Sequence, residues 1–442
     1  MKLKGIAAAL AVAGLAAPGV SHATNGYFAE GYGIKNKGFG GVSTARAVDT
    51  FGGANNPASM AFVGNKMDLG AVLFSPRREA SRTGSGPAGL DGSSDSDAEY
   101  FLIPEFGFNR MITNELALGV TVYGNGGLNT DFRNRPIGGA SACAAINPGQ
   151  PNYNLLCGTN DLGVNLMQLI VAPTIAYKFT PNHSIGVAPL LGYQRFKAKG
   201  LQAFAPFSTD PANFTNQGSD NIFGFGARFG YFGRLSDSVS VGAAYATEMS
   251  FDEFDKYRGL FAEQGGFDIP SNWNVGVVFK PLPKWSVGFD FQRINYSDVK
   301  SVNNPSGFLL AQCAGGNFAA CLGGSNGVGF GWKDISVFKV GVEYELNETW
   351  TLRAGFNHGD NPIDPSDVTI NILAPGVIEN HVTVGGSYKT KGGGEWNFSG
   401  MYAFSSETIG PSLFQAFGAP PSTTEKIEMY QWSVGVAYQW SF

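Results

Sequence analysis

From Tyr430 to the C-terminus the chain alternates without a break. Tyr430, Trp432, Val434, Val436, Tyr438, Trp440 and Phe442 share one parity, and Gln431, Ser433, Gly435, Ala437, Gln439 and Ser441 the other. Side chains of a strand point to opposite faces in turn, so one face here is greasy and the other small and polar. That pattern suits a wall between hydrocarbon and a wet or packed lumen, with aromatics at both interfaces. A soluble sandwich strand can alternate too, but it has no need of an aromatic last residue with aromatics two and four positions before it. The ending resembles the signal by which outer-membrane barrels are recognised by their assembly machinery.

The same period, bounded by Gly, Pro, Asn and Asp, predicts about fourteen strands after residue 65. They fall near 66–80, 99–111, 115–129, 163–179, 184–199, 221–235, 238–251, 272–280, 284–299, 332–346, 349–358, 379–389, 395–406 and 428–442. Connections alternate between short and long; Ser236-Asp237 and Asn347-Glu348 are among the short ones. Barrels of the outer membrane put short turns in the periplasm and long loops outside, which fixes the orientation. The expected fold is all-β: a transmembrane antiparallel barrel over residues 66–442. Closure leaves no free edge, so every backbone polar group in lipid finds a partner.

Residues 24–65 do not alternate and form a separate element, either a tail or a plug inside the barrel. Asn56-Pro57-Ala58 reads as a short helix start, with Asn56 capping free amides and Pro57 at the first helical position. A second short helix is expected over 42–48. Ahead of this element, Lys2 and Lys4, an apolar run from Ile6 to Val20 and Ser21-His22-Ala23 have the layout of a secretory signal peptide over residues 1–23, cleaved near Ala23.

Composition agrees with strands in a membrane. The chain carries 62 glycines and 35 phenylalanines, and only 15% of its residues are charged. Mean hydropathy is near zero at −0.05, as expected when lipid-facing and lumen-facing residues alternate. Loss of Lys2 and Lys4 with the leader takes the formal charge from −5 to −7. No basic block points to nucleic acid, and the expected surroundings are outer-membrane lipids, with the barrel a monomer.

The four cysteines fall as Cys143 with Cys157 and Cys313 with Cys321, each pair inside one outer loop. Local bridges are the simplest pairing in an oxidising compartment. Zinc is the weaker alternative, since no histidine lies beside either pair. No enzyme is expected. Of the four histidines His22 leaves with the signal, and His183, His358 and His381 come with no nucleophile motif. The acidic run Asp91, Asp95, Asp97 and Glu99 fits no calcium loop. No cofactor or metal is called for.

Recognition chemistry sits elsewhere. Two outer loops carry more apolar residues than exposure favours: Leu201, Phe204, Phe207 and Phe214 in one, and Phe254, Tyr257, Leu260 and Phe261 in the other. The second set has the spacing of one face of a short helix. Such patches mark binding sites, or they cap a barrel mouth. In the third strand, Leu116, Leu118, Val120 and Val122 run into Tyr123-Gly124-Asn125-Gly126-Gly127. Glycines inside a strand mark a bulge or bend, or simply a hairpin end.

At these residues the chain resembles the long-chain fatty acid transporter family of the outer membrane, which also includes toluene and xylene channels. Asn25-Gly26-Tyr27-Phe28, Gly38-Phe39-Gly40-Gly41 and Asn56-Pro57-Ala58 resemble the family's hatch. Val122 to Gly127, leading to Thr130-Asp131-Phe132, resembles its kinked third strand, and Asp360-Asn361-Pro362 resembles the start of an outer loop. The resemblance implies a fourteen-stranded barrel plugged by an N-terminal hatch. It also implies a passive route for hydrophobic molecules: capture between the two aromatic loops, an internal pocket, hatch rearrangement and lateral exit at the kink. In fatty acid members basic side chains meet the carboxylate, and Arg195 and Lys300 match them here. Long-chain fatty acids are the first expectation for substrate, aromatic or aliphatic hydrocarbons the alternative. A general diffusion porin ranks behind both, because the lumen carries little charge.

Overall fold

Strict alternation of apolar and small polar side chains gives each barrel strand one face for lipid and one for the lumen. In the computed structural model, which describes residues 24–133 and 141–442, fourteen such strands close on themselves. They are β1 (Lys66–Thr83), β2 (Phe101–Met111), β3 (Leu116–Gly126), β4 (Gly163–Thr180), β5 (His183–Lys199), β6 (Asp220–Ser236) and β7 (Val239–Ala246). The second half comprises β8 (Asn272–Leu282), β9 (Trp285–Ile294), β10 (Ile335–Glu345), β11 (Trp350–Gly359), β12 (Asn380–Lys389), β13 (Glu395–Pro411) and β14 (Thr424–Ser441). Each pairs antiparallel with its chain neighbours, and β14 returns to β1 from Ser441 opposite Lys66 to Thr424 opposite Thr83. Two short strands, Gly92–Asp95 and Ser250–Phe251, hang on the outer ends of β1 and β6. Residues 1–23, expected to be a signal peptide, lie outside the described residues.

All fourteen expected strands are present, with shifted ends. The ninth stops at Ile294, not near 299, because Tyr296–Asp298 turns as a 3-10 helix and Lys300–Asn303 as a helical turn. The seventh stops at Ala246, and the last begins at Thr424.

The segment from Thr24 to Val63 is buried almost throughout and lies inside the barrel. As expected, Pro57–Phe62 is a short helix, here 3-10, and the Asn56 side chain accepts from Ala58 N at 3.1 Å. The helix expected over 42–48 is absent. Asp290 Oδ2 on the wall instead accepts from Ser43 N (2.8 Å), Thr44 N (2.9 Å) and Thr44 Oγ1 (2.7 Å), so these donors serve the barrel and not a helical turn. The helical turn lies earlier, at Ile34–Lys37, where Ile34 N donates to Glu105 Oε1 at 3.1 Å.

Many of the glycines find their reason in this arrangement. Gly107, Gly186, Gly230, Gly242, Gly341 and Gly355, on six different strands, form part of a belt on the inner wall. At each a Cβ would collide with atoms of residues 39–58. Close approach of backbone to strand requires the missing side chain. Ion pairs complete the seat: Lys35 with Glu395 at 2.6 Å, and Glu343 between Arg46 (2.8 Å) and Arg353 (2.5 Å). Buried charges in such pairs fix a register more than they add stability.

Candidate functional site

The outer loops fold over the barrel mouth and enclose an apolar groove. Leu201, Phe204, Phe214, Leu260 and Phe261, all expected from sequence, line it. Phe254 and Tyr257 stand behind it, packed on Phe196 with ring centroids at 5.5 and 4.8 Å. Phe207 turns away and packs on Phe417 instead. The helix expected over 254–261 is a single 3-10 turn, Asp255–Tyr257, followed by Glu263 and Gln264 in left-handed conformation. Phe196, Phe330, Ile370 and Leu373 also line the groove. They come from a strand end and from loops far apart in sequence, so no local pattern flagged them. The cavity measures about 40 Å³, room for no more than a few waters.

Both expected disulfides are formed, Cys143–Cys157 and Cys313–Cys321. Arg82, fully buried in an ion pair with Glu425, also donates to Leu155 O at 2.7 Å, which ties the first bridged loop to the β1–β14 seam.

Beneath the groove the tip of the inner segment sits in an aromatic box. Tyr27 lies 5.3 Å from Tyr296, 5.9 Å from Trp332 and 6.2 Å from Phe267, centroid to centroid. Tyr296 OH donates to Asn25 O at 2.6 Å. Gly26, at φ +64°, has no room for a Cβ, because Tyr296 and Trp332 close over it. An L side chain is disfavoured there on both counts.

The wall opens beside this box. The β2–β3 ladder runs from Met111–Ala117 to Phe106–Val122 and stops, while β1 pairs with β2 as far as Phe101. β3 meanwhile stays on β4 up to Gly126–Gln168, with an irregularity between Gly124 and Gly126. Beyond Val122, β3 therefore leaves β2 and turns inward, as a bulge bends a strand. Its tip pairs with the inner segment: Phe28 bridges Gly126, Ala29 N donates to Asn125 O at 3.3 Å, and Gly127 N donates to Tyr27 O at 3.3 Å. Tyr32 OH also reaches Asn125 O, at 3.0 Å, with its ring 4.7 Å from Tyr123. Above the gap the wall resumes, where Asp97 N donates to Asp131 O at 2.8 Å and Arg78 contacts the carbonyls of Ala98 and Asn129. The result is a window between β2 and β3 with residues 27–29 as its inner lip.

The two basic residues matched by local similarity do not face the lumen. Arg195 projects from the outer face of β5, since its neighbours Gln194 and Phe196 take the inner one, and it donates to Ser219 Oγ at 3.1 Å. Lys300 lies beyond the end of β9, in the helical turn Lys300–Asn303. It is exposed at the groove rim, paired with Glu263 at 2.6 Å.

A closed, plugged fourteen-stranded barrel with a greasy mouth and an interrupted wall defines an outer-membrane channel for hydrophobic solutes. Residues 152–393 match the family described as outer membrane protein transport protein (OMPP1/FadL/TodX), and the chain belongs to it. The long-chain fatty acid transport protein of Escherichia coli K12 is 23% identical over 396 residues, 79% of this chain and 80% of that one. The Salmonella typhi protein of the same description is 22% identical, with 83% and 84% covered. The Pseudomonas putida toluene transporter TodX superposes with a TM-score of 0.64 at 16% identity, covering 93% of this chain and 99% of that one. A Pseudomonas aeruginosa FadL homologue gives 0.66 at 14%, with 94% and 100% covered. This protein is a bacterial outer-membrane transporter of hydrophobic substrates, in a family whose members are channels, not enzymes.

Proposed function

We propose that the protein takes up long-chain fatty acids passively, by capture in the outer-loop groove, passage through the aromatic box, movement of residues 24–65 as a hatch, and lateral exit through the β2–β3 window. The observation that carries this reading is the break in the β2–β3 ladder at Phe106–Val122, where the freed end of β3 pairs with residues 27–29. An ordinary porin wall has no use for such a break, because unpaired strand edges in lipid are costly. The groove, box and window follow one another, and the groove and box are lined by apolar or aromatic groups. Fatty acids are favoured over hydrocarbons by the description of the curated relatives. Lys300, at the groove rim, is placed to meet a carboxylate as it arrives. Arg195, on the outer face, has no part in the route.

A strain lacking the gene, with and without the gene restored, provides the test with radiolabelled oleate and toluene. Restored oleate entry supports the reading. Toluene entry alone moves the substrate to hydrocarbons, and unchanged entry of both removes the proposal.

A further inference from the structure

Toward the outer end of β5 burial alternates cleanly. Gln194, Phe196 and Ala198 are buried, while Arg195 and Lys197 are exposed on the outside of the wall. Both stand just beyond Tyr193, whose ring packs on Phe223 at 5.5 Å and whose hydroxyl donates to Asn221 Oδ1 at 2.8 Å. Phe223 and Phe225, on the adjacent strand, are exposed on the same face. Aromatic side chains of this kind mark the level of the membrane interface. Two residues of strand past Tyr193, roughly 7 Å, put Arg195 among the headgroups, and Lys197 lies one such step further out.

Among the described residues neither cation has a carboxylate partner. By contrast Lys199, next along β5, is held by Asp131 at 2.6 Å. On other strands Arg77 is held by Glu99, Arg293 by Asp334 at 3.2 Å and Lys426 by Glu428 at 2.7 Å. Arg195 donates to Ser219 Oγ at 3.1 Å. Lys256, on the turn Asp255–Tyr257 of the next outer loop, reaches the same residue and donates to Ser219 O at 2.7 Å. Two cations from different elements therefore converge on Ser219, with Lys197 beside them on the strand. Asp220 uses its oxygens on backbone amides, those of Asn221 at 3.0 Å and Lys256 at 2.9 Å, and forms an ion pair with none of the three.

We propose that Arg195, Lys197 and Lys256 form a clamp on the outside of the barrel for a phosphate of an anionic outer-leaflet glycolipid, whose acyl chains lie on Phe223 and Phe225. A guanidinium meets phosphate with two parallel donors, and the ammonium groups add point charge. Clustered cations at a membrane surface attract anionic headgroups, and the long loops put this end of the barrel at the outer leaflet. Lys256 precedes Tyr257, which packs on Phe196 behind the groove and donates to Gly218 O at 2.5 Å. A phosphate held by all three cations ties that loop to the wall. The clamp lies outside the lumen and is independent of which solute is carried.

Native mass spectrometry of the detergent-purified barrel with diphosphorylated lipid A, in the presence of EDTA, tests this. The chelator keeps Asp252, Glu253 and Asp255, exposed on the same loop, from recruiting the lipid through a divalent ion. The native protein is expected to bind lipid A, and the double variant Arg195→Gln with Lys197→Gln to bind it about tenfold more weakly or worse, from the loss of two cations at a membrane surface. Arg77→Gln, which removes a cation already paired, is expected to change affinity by no more than about twofold. A folded double variant that binds as the native protein does overturns the proposal, and so does an equal loss in Arg77→Gln. Equal binding of dephosphorylated lipid A, or of phosphatidylglycerol, by the native protein overturns it whether or not the variants fold.

Discussion

Phe28 forms an antiparallel bridge with Gly126, so the strand that should complete the wall is paired to the plug instead. One contact thus serves two purposes: it satisfies the inward-bent end of β3, and it closes the gap that the bend creates.

The glycine belt makes the seat of that segment specific. Gly341→Val is expected to drive a side chain into Phe39, whose carbonyl and ring occupy the space. Overpacking of this kind costs about 1–3 kcal/mol. The barrel itself still forms, because β10 keeps its ladders to β9 and β11. Protease added from the periplasmic side of spheroplasts should cut residues 24–65 in the variant and spare them in the native protein.

The strands and the bridges were legible because each is a local pattern: alternation for one, two cysteines in one loop for the other. The belt was not. A high glycine count is visible, but which glycines face inward against a distant segment depends on register. The same holds for charge. Arg195 carries the motif similarity, yet the inner places of β5 go to Gln194 and Phe196. The missing second helix had a similar cause, since Asp290 is nearly 250 positions away from the amides it takes.

Replacing Cys143 and Cys157 together by serine is expected to loosen the first outer loop without unfolding the barrel. Closing a loop with a sequence separation of 14 is worth roughly 3 kcal/mol in the chain-entropy account. Proteinase K on intact cells should cleave near Asn147–Tyr153 in the variant much faster, with the barrel core left whole.

The loop between β7 and β8 should weaken as pH rises. Burial first, then the nearby Asp268 and Asp298, push the Glu248 carboxyl up to about 7, and burial raises Asp268 as well. A carboxyl raised on folding holds its proton in the folded state, so this stability is complete below pH about 4.5 and lost as pH climbs through about 7. Amide exchange at Met249 and Phe251, corrected for intrinsic rates, is expected to show protection falling between pH 5 and 8. Glu248→Gln should flatten the trend, and protection that grows with pH would contradict it.

The central claim is that solute leaves through the window when residues 27–29 release β3, and a covalent latch tests it most directly. Ala29 and Asn125 are joined there by a backbone hydrogen bond of 3.3 Å. With Ala29→Cys and Asn125→Cys oxidised to a bridge verified by mass spectrometry, oleate uptake should fall to that of the deletion strain. Reductant should restore it, with the native protein treated alike as control. A bridged barrel that carries oleate at the native rate would contradict the account.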